Sequence, residues 1–384
     1  MFFAHQSIVN MQFTLRYESV TLPAVLSSIP CILMRAGTSR GPFFLKEWLP
    51  QDEAERNRVL VAVIGSGDTC QISGLGGGST LNSKVAIVSK STRPDVDVDY
   101  LFAQVGVSKP TVDTKPNCGN MLSGVGPFAI EQGLVTPTKD TTVVRVFNEN
   151  TRSRIDVTVQ TPGGRLTYDG NAQIDGVQGQ AAPIRLEFLD AWGSITGSVF
   201  PTGQRTDRIQ GVDVTCIDAA MPLMIVRAQD LGVSAHDAPA ALDDCADMLK
   251  RLEQMRLEAG RLMGLGDVSR SVIPKPVLVD ATGAPTSIVS RYFTPWRCHT
   301  AHAVTGAIGV ATARALPGTV AAGGPSEPGT HLIQVLHPQG RIDVEVGLEG
   351  HGQEAQVTRA SLIRTARKIF EGTLYVNPQS QEYA

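Results

Sequence analysis

Two short stretches of this chain echo each other from its first half to its second, and the echo limits the folds open to it. Lys84-Val85-Ala86-Ile87-Val88 is matched by Lys275-Pro276-Val277-Leu278-Val279, and Ser123-Gly124-Val125 by Thr305-Gly306-Ala307. The two matches are unequally spaced, which insertions explain. An apolar strand opened by lysine and followed by a small-residue helix, occurring twice, points to a duplicated fold with a cleft between related halves. At 384 residues the chain is too long for one ordinary core, so two domains are expected on length as well.

The pattern between these landmarks is mixed. Apolar runs predict strands at 29–35, 84–88, 96–105, 142–147, 153–160, 165–168, 184–189, 211–217, 221–228, 277–279, 286–293, 331–337 and 341–348. Helical spacing appears from Asp52 to Ile64 with a stop at Gly65, from Asn120 to a stop near Gly133, from Leu242 to Met263, and from His302 to Ala315. The regular strand–helix alternation of a doubly wound sheet is absent, so sheet wrapped near a helix is expected. Asp95, Asp97 and Asp99 alternate with valines and read as a solvated strand face, since the spacing and glycine of an EF-hand are missing. Residues 360–375 carry mixed signals.

Chemistry gathers at two turns. Gly74 to Lys84 is a glycine-dense loop that feeds a strand, and Pro116-Asn117-Cys118-Gly119-Asn120 is a turn that feeds a helix. Glycines let backbone N–H groups approach an anionic oxygen closely, so the pair reads as a carboxylate-binding site with two groups able to move protons. Asn117 is an N-cap candidate, and at the mouth of a helix Cys118 is placed where thiolate is favoured. Lys84 can exchange a proton or hold the oxygen of a developing enolate. Arg35 and Arg40 flank the turn Ala36-Gly37-Thr38-Ser39 and suit a carboxylate, although a hairpin with solvated arginines fits equally. His299 and His302 open the second small-residue helix as carboxylate donors or acid–base groups; a metal site ranks lowest, because no supporting carboxylate or HExxH motif is present. Asp68 and Asp218 are orienting carboxylates or surface residues.

Composition excludes several alternatives. The net charge of −3, with Lys and Arg scattered, gives no support for nucleic-acid binding, and no apolar run is long enough to span a bilayer. Residues 1–28 show no secretory leader and read as an extension. Six widely spread cysteines read as reduced thiols, so a cytoplasmic setting is expected.

Taken together, Met34-Arg35-Ala36-Gly37-Thr38-Ser39-Arg40-Gly41, the loop from Gly74 to Lys84, Asn117-Cys118-Gly119-Asn120, Pro201-Thr202-Gly203, Val272-Ile273-Pro274-Lys275 and Arg364-Thr365-Ala366-Arg367 resemble the family of 4-oxalomesaconate tautomerase/isomerase, methylaconitate isomerase and 3-methylitaconate isomerase. The resemblance spans Ile29 to about Asn377. It implies an α+β, diaminopimelate-epimerase-like fold, with two pseudo-symmetric domains (29–204 and 205–384, the C-terminal segment free to return to the first), each a curled mixed sheet around a central helix. It implies no cofactor and no metal, with Lys84 and Cys118 facing the substrate across the cleft. Residues 97–105 and 124–129 look most like the 4-oxalomesaconate branch, which acts in 4,5-cleavage breakdown of gallate or protocatechuate. Ala36 and Arg40 depart from the glycine and lysine common in the family, which affects one corner of the pocket.

The expected activity is cofactor-independent proton transfer on 4-oxalomesaconate, by tautomerisation or allylic shift, with Lys84 as base and Cys118 completing delivery or the two exchanged. Arg35, Thr38, Ser39 and Arg40 are expected to grip one carboxylate, and Gly76, Gly77, Gly78, Ser79, Asn117, Gly119 and Asn120 another, with His299 and His302 closing from the second half. The alternatives are a methylaconitate or 3-methylitaconate isomerase and a non-catalytic polycarboxylate-binding protein. A di- or tricarboxylate is the expected partner, nucleic acid and membrane are not, and a homodimer is left open.

Overall fold

The computed structural model describes residues 27–294 and 296–377; the N-terminal extension expected at 1–28 lies almost wholly outside them. The first half supplies β1 (Ser27–Ala36), β2 (Ser39–Leu45), β3 (Lys84–Lys90), β4 (Val98–Val105), the two-residue β5 (Val112–Asp113), β6 (Thr141–Asn148), β7 (Ser153–Gln160) and β8 (Ile184–Phe188). The chain continues with β9 (Asp207–Ile209), β10 (Val212–Asp218), β11 (Pro222–Arg227), β12 (Lys275–Ala281), β13 (Ser287–Tyr292), β14 (Gly329–His337), β15 (Gly340–Glu349), β16 (Gln356–Arg364) and β17 (Ala366–Val376). The helices are α1 (Glu53–Ile64), α2 (Gly119–Leu122), α3 (Val125–Glu131), α4 (Pro239–Asp243), α5 (Ala246–Leu262) and α6 (Val304–Ala315).

Strand pairing repeats from one half to the other. β1–β2 is antiparallel, β2–β3 parallel, β3–β4 antiparallel, β4–β6 parallel and β6–β7–β8 antiparallel. The same sequence of directions runs through β10–β11, β11–β12, β12–β13, β13–β14 and β14–β15–β16. β8 pairs with β16 and joins the halves, while β9 lies on β10 and β17 returns to lie antiparallel on β1. The strand that follows β8 thus borders the second half, and the strand that follows β16 borders the first. This mixed sheet with helices is the epimerase-like α+β fold.

Each half curls round a small-residue helix. All twelve residues of α6 are buried, and the helix touches β10, β11, β13, β14 and β15, strands spread across its half of the sheet. Only Thr305, Thr312 and Arg314 interrupt its apolar and small residues, and its glycines and alanines let the strands close on it. In the first half the same place is taken by α2 and α3, which pack with β1, β2, β3, β6 and β7. α1 and α5 lie outside, each over a smaller apolar cluster. Asp52 caps α1 by accepting from the Glu55 N–H at 2.9 Å, and Gly65 ends it at φ 76°.

Some elements differ from the expectation. The helix expected from Asn120 to Gly133 breaks at Ser123-Gly124 into α2 and α3, where Gly124 lies against Phe43 and Ala36. The helix expected from Leu242 to Met263 is interrupted at Asp244-Cys245, just after Asp243 accepts the Cys298 N–H at 2.7 Å. Residues 165–168 form no strand, since two glycines at positive φ, Gly163 and Gly164, turn the chain out of the sheet after β7. The carboxylates at 95–99 are not simply solvated, because Asp97 pairs with Arg145 at 3.0 Å and Asp99 with Arg93 at 2.7 Å. Among the described residues no helix is long and apolar enough to cross a membrane.

Candidate active site

A cavity of about 350 Å³ opens between the halves, and it collects polar groups from both. β3 brings Lys84 to its wall, and the cross-strand partner of Lys84 on β4 is Gln104. Directly opposed residues share a face, so Lys84 Nζ donates to Gln104 Oε1 at 2.7 Å and lies 5.1 Å from the centre of the Phe102 ring. Gln104 is held in turn, donating from Nε2 to the Ser83 carbonyl at 2.8 Å. The lysine is therefore aimed and fixed, unlike a solvent-facing residue at the start of a strand.

Cys118 is the N-cap of α2 and lines the same cavity. The Tyr100 hydroxyl donates to its carbonyl at 3.4 Å, and the Asn117 Oδ1 beside it accepts from Asn148 at 2.6 Å. The turn is thus pinned by side chains at the wall of the cavity. Gly119 is required by close approach: a Cβ there would fall 2.5 Å from Val304 Cγ1, so its absence lets the mouths of α2 and α6 meet. Asn120 ties in the hairpin turn, accepting from the Thr38 N–H at 3.3 Å and donating to the Thr38 hydroxyl at 3.1 Å. Ser39, also on the wall, is buried, and its hydroxyl has no hydrogen-bond partner among the described residues.

The second half contributes Lys275, Tyr292 and His299. Lys275 opens β12 as Lys84 opens β3. Burial, reinforced by the charge of Lys84, pulls its pKa down to about 7. Tyr292 lies opposite Val277 on β13 and so shares the face of Lys275; burial, then the nearby Cys118, pushes its phenol up. His299 keeps part of its ring on the cavity surface while protein encloses the rest. Burial and then Lys84 lower its pKa to about 3, and its Nδ1 accepts from the Ala301 N–H at 2.9 Å. It is a neutral imidazole with its proton on Nε2, a donor without charge.

Several expected contacts lie elsewhere. His302 is buried beneath the wall, bonded to the Ser290 hydroxyl at 2.9 Å and the Ala303 carbonyl at 2.8 Å, and both histidines precede α6 instead of sharing its face. Arg35 donates to the carbonyls of Gly37 and Thr365 at 3.0 and 2.9 Å, away from the cavity. Arg40 turns to the Leu75 carbonyl at 3.4 Å. The N–H groups of Gly76 and Gly78 are spent on the Ile64 carbonyl and Gln71 Oε1 at 3.1 and 2.9 Å. Gly77 packs between Asn82 and Arg40, and the Ser79 hydroxyl donates to Asn82 at 2.7 Å. The glycine loop is thus a folded wedge, which presents Thr80 and Leu81 to the cavity instead of its glycines. Asp68 caps its own turn at the Cys70 and Ile72 N–H groups, and Asp218 is buried against Ile195 and Thr196.

Lys275, Gln104 and Tyr292 were not singled out from sequence. The Lys84–Lys275 echo was the available signal for the first; the other two depend on strand register. A larger cavity of about 510 Å³ lies at the seam of β8, β15 and β16, where Arg185, Arg341 and Arg364 are set against Asp175, Asp343 and Glu345. It holds neither the thiol nor the lysines.

The chain joins a pseudo-repeated epimerase-like fold to a cavity lined by two lysines and a cysteine, and its relatives make it an isomerase. The chain belongs to the PrpF protein family, whose model matches residues 26–377. YbhH of Escherichia coli (strain K12), named as an isomerase with no stated substrate, is 52% identical over 351 residues, 91% of this chain and 100% of YbhH. The (4E)-oxalomesaconate Delta-isomerase of Novosphingobium sp. (strain KA1) is 44% identical, covering 91% of this chain and 98% of its own. The 4-oxalomesaconate tautomerase of Pseudomonas putida is 45% identical, covering 91% and 96%. Among solved structures, a methylitaconate-delta-isomerase superposes with TM-score 0.74 at 34% identity over 92% of this chain and 97% of that one. A hydroxyproline epimerase from Agrobacterium vitis shares the fold, with TM-score 0.53 at 12% identity over 91% and 93%.

Proposed function

We propose that the protein converts 4-oxalomesaconate to an isomer by moving a proton between its atoms, with no cofactor, in the cytoplasmic breakdown of gallate or protocatechuate by 4,5-cleavage. The observation that carries this reading is the convergence of Lys84 and Cys118 on one cavity of about 350 Å³. A carbonyl conjugated with carboxylates already acidifies the neighbouring carbon, so alignment and charge stabilisation suffice. Lys84 in its neutral amine form takes the proton; the electron pair passes into the conjugated carbonyl; Cys118 as the thiol completes delivery at the second position, or the two roles are exchanged, with a Cys118 thiolate taking the proton and a Lys84 ammonium returning one. Ser39, Asn120 and the neutral His299 are donors for the substrate's oxygens. Relatives at 44–45% identity named for oxalomesaconate support this substrate.

Those names describe a double-bond shift in one case and a tautomerisation in the other, and a proton transfer of this kind serves both. The methylitaconate-delta-isomerase likeness supports a second reading, the same shift on a simpler polycarboxylate. Assays with each acid, followed by the ultraviolet absorbance of the conjugated system, separate them. Turnover of 4-oxalomesaconate is expected to survive dialysis against a chelator. Activity lost to the chelator and restored by metal contradicts the mechanism, and tight binding without any absorbance change marks a non-catalytic binding protein.

A further inference from the structure

Lys275 is 7% exposed, lines the cavity, and its Nζ has no hydrogen bond or ion pair among the described residues. A buried ammonium normally has a partner. The groups that face it are Lys84 on β3, Asp113 on β5, Arg256 on α5, Cys118 at α2, Tyr292 on β13 and His299 before α6. Arg256 is engaged by Glu253 at 2.6 Å, and the Asp113 carboxylate accepts the Lys115 N–H at 2.9 Å. Asp113 is the one carboxylate on the wall among the described residues, set against two lysines. On the first half's side of the cavity the Ser39 hydroxyl, also buried, lacks a partner among the described residues. The cavity is therefore short of negative charge and of acceptors, which a polycarboxylate supplies.

We propose that Lys275 is the substrate-carboxylate receptor of the second half, closing as an ammonium on one carboxylate across the cavity from Ser39 and taking up a proton as it does so. The inference rests on the polycarboxylate reading above and adds a binding residue to it. In the empty cavity burial and Lys84 disfavour the charged amine; the opposite charge of an arriving carboxylate outweighs both, so binding draws a proton from solution above neutral pH and none well below it.

The test is calorimetric titration with tricarballylate, a saturated tricarboxylate that cannot undergo the allylic shift, at about pH 8 in phosphate and in Tris, whose ionisation enthalpies differ. Wild type is expected to take up close to one proton per site. Lys275→Met is expected to lose that uptake and to bind about tenfold or more weakly. Lys275→Arg, which keeps its charge at every working pH, is expected to recover affinity without proton uptake. Protons exchanged by the ligand or by His299 and Cys118 are common to the three proteins and cancel in the comparison. Wild-type affinity and wild-type proton uptake in Lys275→Met overturn the proposal while leaving the isomerase reading intact. Failure of wild type to bind tricarballylate or 4-oxalomesaconate overturns both. Should the methionine variant not fold, as judged by circular dichroism, the arginine variant decides: proton uptake in it contradicts the proposal.

Discussion

Lys84 at the start of β3 and Cys118 at the N-cap of α2 both line the cavity between the halves, and the proposed function gives them the proton transfer itself. Lys84→Met and Cys118→Ser are each expected to lower kcat by about a hundredfold or more, the scale of one general acid–base group, with thermal midpoints close to wild type. Near-wild-type turnover in either variant removes that residue from the mechanism. These two positions were legible because glycine and asparagine chemistry marks a strand mouth and a helix mouth in sequence. Arg35 and Arg40 were not, because their direction depends on register. They are cross-strand partners in the β1–β2 hairpin, and alternation along a strand sends them to the face opposite the one that Ser39 presents to the cavity. His302 carries a separate expectation. Burial lowers its pKa to about 3 and that of His337 to about 4, so below about 6.5, where an unfolded histidine gains its proton, the unfolded state binds more protons than the folded one. Stability is present in full above that pH and is lost as pH falls towards the folded values, by about 1.4 kcal/mol per pH unit for each buried histidine. Urea unfolding between about pH 7 and pH 5 should show this slope, and His302→Asn should reduce it; an unchanged slope would return His302 to an ordinary titration.

Elements matter here mainly through what their ends can approach. α2 is one turn long and α6 three, yet both deliver their first residues to the same cavity, and the contact between them runs through Gly119 and Val304. Gly119→Ala is expected to push Val304 aside and widen the gap between Cys118 and the second half. The expected cost is about 1–3 kcal/mol of stability, with a fall in turnover. Val304→Ala added to Gly119→Ala should restore much of both, and strict additivity of the two changes would show that the helix mouths do not bear on each other. Helix positions and stop signals such as Asp52 and Gly65 were legible because caps and glycines are local. The breaks at Ser123-Gly124 and Asp244-Cys245 were not. Each depends on a neighbour distant in sequence, Phe43 in one case and Cys298 in the other. The glycine loop misled for a related reason, since its N–H groups found acceptors in Ile64 and Gln71 before any ligand could use them.

At the scale of the whole molecule, the repeat explains why chemistry falls where it does. Two halves with the same order of strand directions, each bordered by the other's closing strand, bring equivalent strand starts to one cleft, so Lys84 and Lys275 line the same cavity. The echo between those strands was readable in the sequence as evidence of duplication, and its functional content emerged only when the halves were seen to close on each other. The activity proposed for this cleft is the movement of a proton within an unsaturated polycarboxylate. The most direct measurement is proton NMR of 4-oxalomesaconate incubated with the protein in D2O, alongside Lys84→Met. A new isomer that carries solvent deuterium at the position where the proton is returned is expected, formed by the wild type and formed at least about a hundredfold more slowly by the variant. An unchanged substrate spectrum with the wild type, or equal rates for the two proteins, would contradict it.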